Sequence, residues 1–222
     1  MASPMRQAIA RHMTFSKQQI PHYYLTMTAE VGAAMEARAA WNASHPEDAR
    51  VSVNDLIVKA AALALAKHPR FNAFYQQDDV HPQARINIGI AIALPDGLIA
   101  PAILDCGGLA IDEIGRRGRD LAARAKQKTL KAEEYTAATF TMTNLGMYNV
   151  DSFAAIIVPP QVGILAVGSA REVPVARDGA IVVTRQLSLT LSGDHRATDG
   201  AEGATFLGEI VSCLRNPESL FA

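Results

Sequence analysis

The chain has 222 residues, 49% of them hydrophobic and 19% charged, a length that buries roughly 70% of its unfolded surface as one large domain or two small ones and excludes a disordered or fibrous class. With 21 basic against 22 acidic side chains and a net charge of −1, it offers no field to hold a nucleic acid backbone or an anionic membrane. No run approaches the ~18 apolar residues of a membrane span, the N-terminus lacks a signal peptide's apolar region, and Cys106 and Cys213 form no C-x-x-C pair, so a reducing compartment fits best.

Met1-Ala-Ser-Pro4 reads as an added remnant or the tail of a linker, with a longer natural chain upstream. Met5, Ile9 and Met13 recur at helical spacing and predict a short leading helix to Lys17, stopped by Pro21. His22 to Thr28 is rich in aromatic and β-branched residues and predicts a strand, followed by an alanine-rich helix from Ala33 to Trp41. Ser52-Val-Asn-Asp55 resembles a capping box opening a helix over Leu56–Ala66, apolar nearly all round and therefore buried. Strict alternation from Ile86 to Leu94 predicts one strand, and Pro95-Asp-Gly97 a turn into a second, Leu98 to Leu104. Ile111 to Lys128 predicts an arginine-dense surface helix, in which Asp112, Glu113 and Asp120 argue against an RNA patch. Three strands follow, Ala138–Thr143, Val162–Val167 and Ile181–Ser192, then a helix from Gly200 to Leu214 ended by Asn216-Pro217. With no repeat and no internal linker, residues 1–222 form one α/β domain around a largely mixed sheet.

Five of the six histidines, His12, His22, His45, His68 and His81, lie on a helix, beside prolines or in loops, and none makes an i, i+4 pair, so no metal site is expected. His195 is different: in Gly193-Asp-His195-Arg-Ala-Thr-Asp199-Gly200 it stands where a strand gives way to a helix, beside two acids and two glycines. The pattern serves acid/base chemistry or, equally, turn and cap chemistry, and Asp199 can be only an N-cap. Thr139-Phe-Thr-Met-Thr143-Asn-Leu-Gly146 brings a hydroxyl and an amide to the tip of a strand, groups able to donate to an oxyanion, although ordinary strand-end chemistry reads the same way. No nucleophile elbow, dinucleotide fingerprint or P-loop is present.

Asp194-His195-Arg196-x-x-Asp199-Gly200 resembles the signature of the 2-oxo acid dehydrogenase acyltransferases, whose catalytic domain has a chloramphenicol acetyltransferase-like fold. The likeness extends through Ile9-Ala-x-x-Met13, Ser16-Lys-Gln, Pro21-His-Tyr-Tyr24, Val53-Asn-Asp-x-Ile-x-Lys-Ala60, Asn87-Ile-Gly-Ile-Ala91, Gly97-Leu-Ile-x-Pro101, Phe140-Thr-Met-Thr-Asn-Leu-Gly146 and Pro159-Pro-Gln161. The resemblance implies acyl transfer between dihydrolipoamide and coenzyme A, with His195 as general base, Thr143 on the oxyanion, and Asp199 ordering the site through an ion pair with an arginine. It implies coenzyme A contacts at Arg38, Ser52, Thr143 and Asn144, and a lipoyl group carried on a separate domain. Its implied partners are a homotrimer built into a larger core, the lipoyl domain and the dehydrogenase components of the complex, in a prokaryotic cytoplasm or a mitochondrial matrix or plastid. Many relatives carry an arginine where this chain has His12, leaving Arg11 or Arg6 as substitutes, and a threonine or valine is common at Ala100. Pro21-His-Tyr-Tyr-Leu25 resembles acetyl-transferring members most, with acetoin-type ones as the alternative. A non-catalytic scaffold core and a free-standing chloramphenicol-type acetyltransferase are the competing readings.

Overall fold

The computed structural model describes residues 3–95 and 97–222, so the first two residues of the expected remnant and the Asp96 of the expected turn lie outside it. Helix α1 (Pro4–Gln19) is capped by Ser3, whose hydroxyl accepts the Arg6 N–H at 3.2 Å. It ends at Ile20 because the residue before Pro21 is driven to extended backbone. Strand β1 (His22–Glu30) and helix α2 (Gly32–Ser44) follow. Helix α3 (Val53–Lys67) opens on the expected reciprocal cap: the Ser52 hydroxyl accepts the Asp55 N–H at 3.2 Å, and the Asp55 carboxylate accepts the Ser52 N–H at 2.7 Å. As its all-round apolarity required, α3 is buried along most of its length.

The next segment departs from expectation. Strands β2 (Ala73–Gln76) and β3 (Asp79–Pro82) form a hairpin through Gln77 and Asp78, both left-handed at φ 52° and 58°. The predicted Ile86–Leu94 strand is two pieces, β4 (Ile88–Ile90) and β5 (Ile92–Leu94), and its successor is also divided, into β6 (Gly97–Ile99) and β7 (Ala102–Ile103). β4 and β7 belong to the main sheet, whereas β5 and β6 form a separate ribbon. The division falls at Pro101, which has no N–H to give a ladder; its carbonyl takes the Ile90 N–H at 2.9 Å instead.

Helix α4 (Ile111–Gln127) is the expected surface helix, its arginines tied locally: Arg116 and Arg117 to Glu113, Arg124 to Asp120 and Glu134. After the short α5 (Ala132–Thr136) come β8 (Phe140–Asn144), β9 (Gly163–Val167), β10 (Arg171–Arg177), the long β11 (Ala180–Asp194) and α6 (Gly200–Arg215). The seven-stranded sheet runs β1-β11-β9-β8-β4-β7 with β10 paired to β11. It is mixed, with β4, β8 and β9 mutually parallel and the other pairings antiparallel.

Strand alternation gives this sheet two unlike faces. Phe140, Met142, Leu165, Val167, Leu187, Leu189 and Leu191 point into one core with α3 and α6, where Phe206 stacks on Phe71 at 4.4 Å and meets Phe140 edge-on at 5.6 Å. The opposite face carries small and polar residues: Thr26 and Thr190, bonded at 2.9 Å, Ser192, Thr141 and Thr143. Helix α1, the β6 residues Leu98 and Ile99 and the segment 150–158 lie over it, the last pinned by Ser16 Oγ donating to the Ile157 carbonyl at 2.6 Å and Ser192 Oγ to that of Ala155 at 2.7 Å. The one-sided helical layer therefore leaves the Thr143 face of the sheet accessible.

Candidate active site

His195 begins the turn between β11 and α6. Its backbone N–H donates to the Pro21 carbonyl at 3.0 Å, and its side chain is exposed. The neighbouring residues fix this turn from inside. Asp194 is fully buried and holds Arg196 in a two-pronged ion pair at 2.7 Å, while the Arg196 guanidinium lies 4.1 Å over the Tyr75 ring. The Asp194 carbonyl accepts the Ala197 and Thr198 N–H groups, both at 3.0 Å. Asp194 and Arg196 thus form a rigid footing for the imidazole, a role that the spacing of the motif does not distinguish from catalysis. Removing the guanidinium leaves a buried carboxylate unpaired, so Arg196→Ala is expected to cost about 3 kcal/mol of unfolding free energy, measurable by urea denaturation.

Asp199 is the N-cap of α6: its carboxylate accepts the Ala201 and Glu202 N–H groups, each at 2.9 Å, and Glu202 closes the capping box. Among the described residues no cation pairs with it. His12 is on α1, across the sheet from α6, and Arg6 and Arg11 form no ion pair with Asp199. Within one subunit Asp199 caps α6 through Oδ1.

Thr143, one residue from the end of β8, faces away from the core because its neighbours Met142 and Asn144 face toward it. It opens into a cavity of about 530 Å³ walled by α1 through Ile9, His12 and Met13, by Leu98 and Ala100, and by Phe153 and Ile156. A hydroxyl in apolar surroundings is a strong donor to any charge that develops there. His12 joins it at this wall.

Three of the four residues implied for coenzyme A gather at the start of α3. Asn144 Nδ2 donates to Asn54 Oδ1 at 3.2 Å, while its own Oδ1 accepts the Gly146 N–H at 2.7 Å and shapes the turn. Arg38 reaches from α2 to the Val51 carbonyl at 3.5 Å, beside Ser52, and its Nε is buried without a partner among the described residues. A guanidinium with unused hydrogen-bonding capacity at a helix N-terminus suits an anion. Ser52 Oγ is already committed, donating to Asp55 at 2.7 Å. Cys106 and Cys213 are free and buried, and burial pushes the Cys106 thiol up to about 12, which leaves it unreactive.

His195 and Thr143 of one chain do not meet. The register pairs Thr143 with Ala166 and Ala166 with Thr190. His195 lies five residues further along, so at ~3.3 Å per residue and ~4.8 Å per strand the two are roughly 20 Å apart.

His22, read from the sequence as a strand start beside a proline, is a structural histidine. Nδ1–H donates to the Ile20 carbonyl at 2.8 Å and Nε2 accepts the Ile157 N–H at 3.1 Å, so the neutral ring pins the segment 150–158 to β1. Burial holds its pKa below 6.5, with Lys17 adding to the shift against the opposing Ile20 bond. The folded state therefore binds fewer protons than the unfolded one: the stability His22 contributes is complete above pH 6.5 and is lost as pH falls from 6.5 toward the folded value. Denaturation curves at pH 7.5 and 5 should show this loss in the wild type and a smaller one in His22→Gln.

The model of the 2-oxoacid dehydrogenases acyltransferase (catalytic domain) family matches residues 1–222. The chain belongs to this family. Among the acyltransferases, the acetyltransferase component of the pyruvate dehydrogenase complex of Rhizobium meliloti is 38% identical over 218 residues, 96% of this chain and 49% of that protein. The chain thus spans about half the length of the curated relatives it matches. Of solved structures, a probable dihydrolipoamide acetyltransferase from Listeria monocytogenes is 32% identical with a TM-score of 0.93, covering 97% of this chain and 93% of that one. The dihydrolipoamide acetyltransferase of Azotobacter vinelandii, studied for the catalytic role of a serine, a histidine and an asparagine, is 27% identical with a TM-score of 0.94, covering 100% and 93%. The cubic core of a pyruvate dehydrogenase multienzyme complex has the same identity, TM-score and coverage. Chloramphenicol acetyltransferase, at 14% identity and a TM-score of 0.57 over 92% of this chain and 94% of that one, shares the fold. The mixed-sheet acyltransferase fold expected from the motifs is thus the fold found.

Proposed function

We propose that this chain catalyses transfer of an acyl group, acetyl in the first instance, between dihydrolipoamide and coenzyme A at a site shared by two subunits. The observation that carries the reading is one of spacing: the serine, histidine and asparagine studied in the Azotobacter enzyme stand at the same separations along the chain as Thr143, His195 and Asp199 here. Three positions in register over a matching fold favour a working site over the scaffold reading.

In this mechanism the His195 imidazole takes the proton of the coenzyme A thiol, which at neutral pH is mostly protonated and weakly nucleophilic. The thiolate adds to the thioester carbonyl of S-acyl dihydrolipoamide. The Thr143 hydroxyl donates to the oxyanion of the tetrahedral adduct, in apolar surroundings that strengthen the bond. Collapse expels the dihydrolipoamide sulfur, which recovers the proton from the imidazolium. Asp199 acts indirectly, starting α6 and so fixing the end of the His195 turn. Arg38 and Asn144 are the stronger coenzyme A contacts; Ser52 would have to exchange its bond to Asp55 for one to ligand.

The roughly 20 Å between His195 and Thr143 in one chain favours a thioester that meets them on different subunits. A heterologous contact of this kind closes into a ring, and a homotrimer is the expected ring. Leu98, an apolar side chain 50% exposed at the wall of the Thr143 cavity, suits a covered surface. Assembly of trimers into a larger core, with lipoyl domains and dehydrogenase components as partners, follows the cubic-core relative. Measured release of coenzyme A from acetyl-CoA with dihydrolipoamide as acceptor tests the activity. Transfer supports the reading, and an assembled protein without transfer favours the scaffold. Competition among acetyl, succinyl and branched acyl donors identifies the acyl group.

A further inference from the structure

We propose that Tyr23 is a positioning residue for His195, its ring setting the orientation of the imidazole; this rests on the assignment of His195 as the base. Tyr23 lies in β1 directly opposite Gly193 and on the α6 side of the sheet. Its ring fills a slot that two glycines leave open. A methyl group at Gly193 would stand 2.3 Å from Tyr23 Cζ, and one at Gly203, in the first turns of α6, 2.7 Å from Tyr23 Oη. Two elements thus omit side chains to admit one ring, which then meets the His195 ring edge-on with centroids 5.3 Å apart and planes at 71°.

The hydroxyl fastens the same turn. Tyr23 Oη lies 2.9 Å from Thr198 Oγ1, and Thr198, buried, donates onward to the Asp194 carbonyl at 3.3 Å. A chain from phenol to threonine to carbonyl therefore spans the segment 194–198 in which His195 sits. Burial first, and the carboxylates of Glu202, Asp199 and Asp194 after it, raise the Tyr23 pKa against the opposing Thr198 bond, so the phenol stays a neutral donor. Backbone anchoring fixes where the imidazole begins, through its N–H to Pro21; the Tyr23 ring meets the imidazole itself.

Misorientation of a reacting group by an ångström costs up to about 10²-fold. Tyr23→Leu is accordingly expected to lower kcat by about 10- to 100-fold with KM for both thiols within about twofold, and Tyr23→Phe, which keeps the ring, to retain kcat within about threefold. Each is compared in wild-type and His195→Ala backgrounds, on protein whose assembly is confirmed by mass. If Tyr23 acts through His195, Tyr23→Leu has no further effect on the residual rate of His195→Ala. An equal fold-loss in both backgrounds, or no loss in the wild type, overturns the proposal. A His195→Ala variant with normal activity instead overturns the base assignment. Gly203→Ala covers a Tyr23→Leu that fails to fold, since alanine favours the helix while its methyl crowds Oη. It should lower kcat with KM held and regain part of it with Tyr23→Phe, and an unchanged kcat counts against the proposal.

Discussion

Replacement of His195 by alanine is expected to lower turnover about 10²- to 10⁴-fold while leaving the fold intact. The two halves of that expectation come from different observations. The imidazole is exposed, and what ties the residue into the structure, its N–H to the Pro21 carbonyl, survives in alanine. The rigidity of the turn resides in Asp194, Arg196 and the α6 cap rather than in the imidazole. Loss of rate with an unchanged far-UV spectrum and unchanged assembly is thus the outcome for a base. Near-normal turnover in a folded variant would remove His195 from the chemistry.

Thr143→Ala carries the second large effect, about 10²- to 10³-fold in kcat, the cost of one oxyanion donor. Thr143 lies on the accessible face, lining the cavity rather than the core, so the substitution should cost little stability and leave the KM for coenzyme A nearly unchanged. Thr143→Ser keeps the hydroxyl and should keep most of the rate. A change confined to KM would make Thr143 a ligand contact formed equally in ground and transition states.

Elements governed by local rules were legible in the sequence. The capping box at Ser52 and Asp55, the proline stop after α1 and the all-apolar α3 follow from neighbours within a few residues. Structure and sequence pattern part where partners remote in sequence decide. Ile86 to Leu94 alternates as one strand, yet the sheet takes only Ile88–Ile90 of it, because β8 and the Pro101 carbonyl receive those residues and Ile92–Leu94 pairs with β6. The β2–β3 hairpin was missed because Gln77 and Asp78 adopt left-handed backbone without the glycine that announces such a turn.

The site divides in the same way. His195, Thr143 and the capping role of Asp199 were visible as motif residues at element ends, but no pattern in the sequence reveals that Asp194 is fully buried against Arg196. The anchoring role of His22 has no local signature, since one of its two ring bonds, to Ile157, spans 135 residues. Pairing of two glycines with Tyr23 was equally hidden, one being a strand residue and the other on a helix. A signal was present in the spacing of Gly193 and Gly203 around the histidine motif, but glycine there reads first as turn and cap chemistry.

The central claim, a site completed by two subunits, is tested most directly by co-refolding His195→Ala with Thr143→Ala subunits in equal amounts. With random mixing, about a quarter of the interfaces join an intact His195 to an intact Thr143, each being drawn with a probability of about one half. The mixture is predicted to recover about a quarter of wild-type activity, far above the mean of the two parent variants. Activity equal to that mean, with mixed trimers confirmed by mass, would place both residues in one subunit's site and contradict the account.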